Sequence, residues 1–124
     1  MFDFYILIIA IVLLSLDYIY LTLMSNYFQS QVKKVQGTPL KMNFVGVVLC
    51  YILLVIGLYY FIIKPNKSVS DAFLFGLVIY GVYETTTLGL FTNWSILTVI
   101  LDTLWGASLF AITTFIIHKL KKIF

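Results

Sequence analysis

Four long apolar runs decide what this chain can become. Phe4–Met24, Phe44–Ile63, Asp71–Leu90 and Ser95–Ile117 each supply the roughly 20 helical residues needed to cross a hydrocarbon core about 30 Å thick. In lipid every backbone N–H and C=O must find a partner inside the protein, so a run of this length is a helix or a strand of a closed barrel. The runs lack the period-two alternation of barrel strands, which leaves helices. Only 10% of the 124 residues are charged and 62% are hydrophobic. A soluble domain carries about a quarter charged residues, so this chain lacks the side chains to cover a water-facing surface. The expectation is an all-α, polytopic integral membrane protein: one domain over residues 1–124, a four-transmembrane-helix bundle with both termini on the same side. The first run has no basic start and no small-residue cleavage site, and it carries Asp17 and Tyr20. It therefore reads as a retained helix, not a signal peptide.

The connections are of three kinds. Ser25–Asn43 is long and polar, bears Lys33, Lys34 and Lys41, and has Gly37-Thr38-Pro39 as a turn signal. Within it Tyr27, Phe28, Val32 and Val35 are spaced loosely for a short interfacial helix. Lys64–Ser70 contains Pro65 and leads into Ser68-Val69-Ser70-Asp71, a helix start. Phe91–Trp94 is a tight hairpin that makes the last two helices antiparallel neighbours. The terminal face would hold Lys64, Lys67, Lys119, Lys121 and Lys122, against Lys33, Lys34 and Lys41 on the other. The lysine bias favours cytoplasmic termini.

Within this apolar sequence stand three acids, Asp17, Glu84 and Asp102. A charged group in hydrocarbon costs several kcal/mol, which makes each a functional candidate. At 1.5 Å per residue, all three fall about 20 Å from the terminal face. Their rotational positions agree. Thr98, Asp102, Trp105, Gly106, Leu109 and Thr113 share one stripe of the fourth helix by i, i+3, i+4 spacing. Tyr80, Glu84 and Thr87 line one face of the third, with Tyr83 adjacent to the acid. Gly81, Thr85 and Gly89 form a small-residue stripe beside that face, the kind that lets helix backbones approach closely. On the first helix Tyr20 lies one turn from Asp17. The expected site is therefore a polar pocket of Asp17, Glu84, Asp102, Tyr20, Tyr80, Tyr83, Thr87 and Trp105, with Gly81, Thr85, Gly89 and Gly106 as packing positions. Every lysine sits at a segment edge. Three acids at one level cannot all stay ionised in a low dielectric, so the pocket must hold protons, bind a cation or admit water.

Several chemistries are excluded. Cys50 and His118 are the only cysteine and histidine and lie far apart, so no metal site and no cofactor are expected. Ser15 and Ser108 have no histidine at their level, against a serine hydrolase. There is no glycine-rich phosphate loop. The net charge of +3 comes from lysines at segment ends, not from a nucleic-acid footprint. Asn66-Lys67-Ser68 and Asn93-Trp94-Ser95 read as chance glycosylation matches, and Trp94 as an interfacial aromatic.

Leu16-Asp17-x-x-Tyr20-Leu21, Tyr80-Gly81-x-Tyr83-Glu84-x-Thr86-Thr87-x-Gly89, Trp94 and Asp102-x-x-Trp105-Gly106 occur in that order across nearly the whole chain. The set resembles the family called domain of unknown function 2177, small predicted membrane proteins. That family's pattern places tryptophan at Tyr20, aspartate at Glu84, asparagine at Thr87 and proline at Ser95. The resemblance implies a four-helix membrane fold and polar signature positions at Asp17, Glu84 and Asp102. It implies no particular activity.

Three functions fit these residues. The first is a non-enzymatic membrane protein whose acids bind or translocate a proton, a small cation, or a lipid headgroup or other small polar ligand. Its helix number and size are similar to those of small multidrug exporters, an architectural likeness that makes a homo-oligomer a natural form. The second is a lipid-modifying enzyme using one acid as donor and another as base. The third is a structural component of a membrane, virion or organelle, with the acids as inter-helix hydrogen-bond links. The expected partners are the lipid bilayer and one of these small ligands, and no nucleic acid.

Overall fold

The computed structural model describes residues 4–38 and 40–123, and Pro39 of the first turn signal lies outside them. Among the described residues the chain is all helical. Helix α1 spans Phe4–Leu23, α2 Ser25–Gln36, α3 Phe44–Leu58, α4 Val69–Leu90 and α5 Ile96–Ile123. A π-helical turn, Tyr59–Ile63, continues α3 to its end. Counting that turn, four helices are long and apolar enough to cross a membrane.

The boundaries follow local chemistry. Ser68 accepts the Asp71 N–H at 3.1 Å and caps α4, so that helix begins at Val69, ahead of the expected Asp71. Asp71 then falls in the first turn, where a negative charge meets the positive end of the helix dipole. Asn43 caps α3 by accepting the Gly46 N–H. The π turn stands directly before Pro65, which has no N–H to give and whose ring clashes with the carbonyl four residues back. Widening the register, with Lys64 N–H donating to Tyr59 O at 2.8 Å, carries the chain past it. Helix α5 runs on beyond the expected Ile117 through the lysine-rich tail.

The connection after α1 contains a short helix, as the spacing of Tyr27, Phe28, Val32 and Val35 suggests. Its first part is a twelve-residue helix, α2, ended by Gly37 in the left-handed region at φ 78°. There the Gly37 N–H returns to Lys33 O, a conformation that glycine adopts without steric cost. Asn66 and Asn93, the two sequon asparagines, both have positive φ, 60° and 66°. Each makes a tight reversal that asparagine tolerates better than most residues, which gives them a conformational role.

Helices α4 and α5 form the tight hairpin, α1 packs on α5, and α3 packs on α1. Their apolar core joins Ile9 and Leu13, Leu54 and Leu58, Ile62 and Ile63, Ala72, and Leu109, Phe110 and Ile117. These residues occupy the half of the bundle nearer the chain ends. There Lys121 lies over the Tyr5 ring at 5.3 Å and donates to Ile63 O at 3.1 Å, so the start of α1 and the end of α5 share one end of the bundle. The other half is polar inside.

Candidate functional site

Each acid occupies the same relative position in its helix. Asp17 lies six residues before the end of α1, Glu84 six before the end of α4, and Asp102 six after the start of α5. At 1.5 Å per residue that is about 9 Å from the helix ends facing α2. The antiparallel arrangement turns this register into proximity.

Asp17 is 6% exposed and is held by two donors. Its Oδ1 accepts the indole N–H of Trp105 at 2.9 Å, and its Oδ2 accepts the hydroxyl of Tyr51 from α3. Tyr20 lies flat against Trp105, centroids 4.5 Å apart and planes 2° from parallel, which fixes the indole that grips the acid. Glu84 is 1% exposed, and its Oε1 accepts the Trp94 indole N–H at 3.0 Å. Its carboxyl group also lies beside that of Asp102. Asp102 is close enough to Asp17 for their charges to interact. The hydroxyl of Tyr20 is within electrostatic reach of all three acids, yet it is buried and has no hydrogen-bond partner among the described residues.

The other expected site residues divide. The Tyr80 ring lies directly over Gly106 and edge-on to Phe110 at 6.2 Å. Tyr83 is 62% exposed on the outer side of α4. The Thr87 hydroxyl donates to Tyr83 O in its own helix at 2.8 Å, and Thr85 donates in the same way to Gly81 O. The close helix crossing falls elsewhere than the Gly81–Thr85–Gly89 stripe. A side chain at Gly89 would meet nothing within 4 Å, and one at Gly81 only a Thr103 methyl at 3.6 Å. The α4–α5 backbones meet instead at Gly76, where an added Cβ would lie 2.6 Å from Gly106 O.

Two open grooves of about 580 and 570 Å³ run between α1 and α3 on the outer surface. Their walls include Leu14, Val47 and Tyr51 and none of the three acids. The carboxyl groups of Asp17 and Glu84 are buried and hydrogen-bonded to neighbours. No group of three metal-ligating side chains occurs among the described residues.

Sequence reasoning passed over three contributors. Tyr51 is, with Cys50, one of two side chains in α3 that can donate a hydrogen bond, and the test applied to the acids would have flagged it. Trp94 belongs to the quoted signature, yet its hydrogen bond turns it from a belt aromatic into a partner of Glu84. Gln31 carried no sequence signal. It is 5% exposed and ties α2 to the α4–α5 turn, donating to Asn93 O at 2.7 Å and accepting from Ser95 N–H at 3.0 Å and the Thr98 hydroxyl at 2.6 Å. The Tyr27 hydroxyl adds a bond to Thr98 at 2.8 Å. Replacing Gln31 with leucine would strand these buried groups, each worth roughly 1–3 kcal/mol when left unpaired. Gln31→Leu should therefore lower the thermal midpoint in detergent, whereas Gln29→Leu, exposed on the same helix, should leave it in place.

No curated protein and no solved structure matches the chain. One family model does, over residues 2–118, nearly the full length. That span covers α1 to α5 as far as His118 and every residue of the carboxyl cluster. The chain therefore belongs to the domain of unknown function 2177 family, described as predicted membrane proteins.

Proposed function

We propose that this membrane protein binds and transfers protons, with Glu84 and Asp102 as the proton-exchanging pair and Asp17 as a fixed acid beside them. The observation that carries this reading is the juxtaposition of the Glu84 and Asp102 carboxyl groups across α4 and α5. Two carboxylates side by side in a low dielectric repel each other, and a proton shared between them removes that repulsion. The cation that neutralises the pair is then a proton. The lysines stand at the helix ends and in the connections, so none offers an alternative counter-charge.

Asp17 is differently equipped. An N–H and an O–H converge on its two oxygens, so each oxygen already accepts a hydrogen bond. The site thus pairs an acid held by donors with two acids that share a proton. Separate environments for neighbouring carboxyl groups are how one site divides acid and base roles. The lipid-modifying reading is weaker on the same geometry. A substrate would have to reach Glu84, which is 1% exposed.

The test is infrared difference spectroscopy on the reconstituted protein through a pH titration. A carbonyl band from a protonated carboxylic acid should be present at low pH and disappear as the pH rises, because deprotonation removes it. Glu84→Gln and Asp102→Asn should each abolish the band's pH response. A band that titrates unchanged in both variants would reject the pair as the proton site.

A further inference from the structure

Two hydroxyl groups in the terminal half of α5 are anomalous. Thr113 and Thr114 are each 0% exposed, and neither hydroxyl has a hydrogen-bond partner among the described residues. A helical threonine commonly returns its hydroxyl to the carbonyl three or four residues back, as Thr85 and Thr87 do on α4. A buried orphan hydroxyl lowers stability, and valine would fill the same shape without that cost. Two adjacent orphans facing the bundle interior need an explanation beyond packing.

Their position supplies one. Thr113 continues the stripe of Thr98, Asp102, Trp105 and Leu109 by i, i+3, i+4 spacing. Thr114 lies one turn before His118, whose Nε2 is 2.7 Å from Lys67 O at the terminal end. From Asp102 toward α2 the helix is also polar. Thr98 is fully buried and bonded to Tyr27, Ser95 and Gln31. It stands about 6 Å from Asp102 along the axis, a step that one bridging water spans. Between Asp102 and Thr113 stand Leu109 and Phe110, both 0% exposed. Polar groups on α5 thus form two half-threads on either side of an apolar layer.

We infer that α5 carries the proton's route in two halves, Tyr27–Thr98 from the α2 end and Thr113–Thr114 toward His118 at the terminal end, gated by Leu109 and Phe110. The ligand of the Thr113–Thr114 site is water. A hydroxyl accepts a proton from one neighbouring water as it donates its own to the next, so each threonine ends neutral. This route rests on the proton-exchanging role of Glu84 and Asp102.

The experiment separates the route from that role. In a Cys50→Ala background of the full chain in proteoliposomes, T113C, T114C and I117C are each exposed to a small water-soluble methanethiosulfonate. Ile117 is as buried as the two threonines and nearer the end of the helix. Hydration of the threonine site should make T113C and T114C react about tenfold faster than I117C, since thiol reactivity follows access to solvent. Reaction no faster than I117C would overturn the route. The double variant T113V/T114V provides the second measurement. Its thermal midpoint should rise while proton flux falls about tenfold, a barrier change of one decade. A purely structural role for the hydroxyls moves stability alone, so unchanged flux also overturns the route. Rapid labelling in a protein without proton flux would leave the hydrated half-thread standing and remove only the proton-exchanging role.

Discussion

Glu84→Gln and Asp102→Asn are each expected to lower proton flux in proteoliposomes by at least about 100-fold, the lower end of what a positioned acid–base group contributes. Glutamine and asparagine keep the size and most of the hydrogen-bonding capacity of the acids they replace. The Glu84→Gln amide oxygen can still accept the Trp94 N–H that Oε1 accepts at 3.0 Å, and its NH₂ can donate to the Asp102 carboxylate. The contact survives while the exchangeable proton is lost, so the helical circular dichroism and the elution volume should match the parent. Flux is followed with a pH-sensitive dye inside the vesicles after a step in external pH. Thr85→Val is the control, since that hydroxyl bonds only carbonyls of its own helix. Flux within twofold of the parent in both acid variants would end the proton-exchange proposal.

That prediction depends on the three acids being unequal, and the inequality arises from tertiary contacts. The sequence places them at one level, and the register of α1, α4 and α5 repeats it, with each acid six positions from the nearer helix end. Depth is legible because a helix in lipid must use its whole apolar run, which ties residue number to distance. Which acid faces which donor is set by rotation and by α3, whose hydrophobic face is nearly uniform in sequence. Tyr51 therefore joins Asp17 without a periodic signal to announce it. The small-residue stripe fails for a related reason. Gly81, Thr85 and Gly89 have the spacing of a packing face, yet spacing cannot say which side of α4 meets α5. The crossing uses Gly106, one of the expected packing positions, together with Gly76, which carried no expectation. Gln31 was illegible altogether, because a glutamine among lysines and aromatics on a short helix looks solvated until the α4–α5 turn is brought against it.

The second large effect belongs to that crossing. Gly76→Ala should destabilise the protein by about 3 kcal/mol, the upper part of the range for overpacking a close contact. Its Cβ would lie 2.6 Å from Gly106 O and 3.0 Å from both Ala107 Cα and Phe110 Cβ. Two of these are backbone atoms and the third is the root of a side chain, so no rotamer change relieves the clash. The helices must separate, and with them the Glu84–Asp102 contact two turns along the same interface. At Gly106 an added Cβ would meet the Tyr80 ring near its own root, and Gly106→Ala should also destabilise. There the obstacle is a side chain, so a double-mutant cycle with Tyr80→Ala should recover much of the loss. Gly89→Ala is the opposite case. Nothing lies within 4 Å of its Cβ, and exchanging glycine for alanine inside a helix stabilises by up to about 1 kcal/mol. Unfolding in detergent, followed by circular dichroism, should rank Gly89→Ala above the parent and Gly76→Ala lowest. If Gly76→Ala unfolds with the parent, the backbones do not meet at Gly76, and the packing that brings Glu84 to Asp102 loses its support.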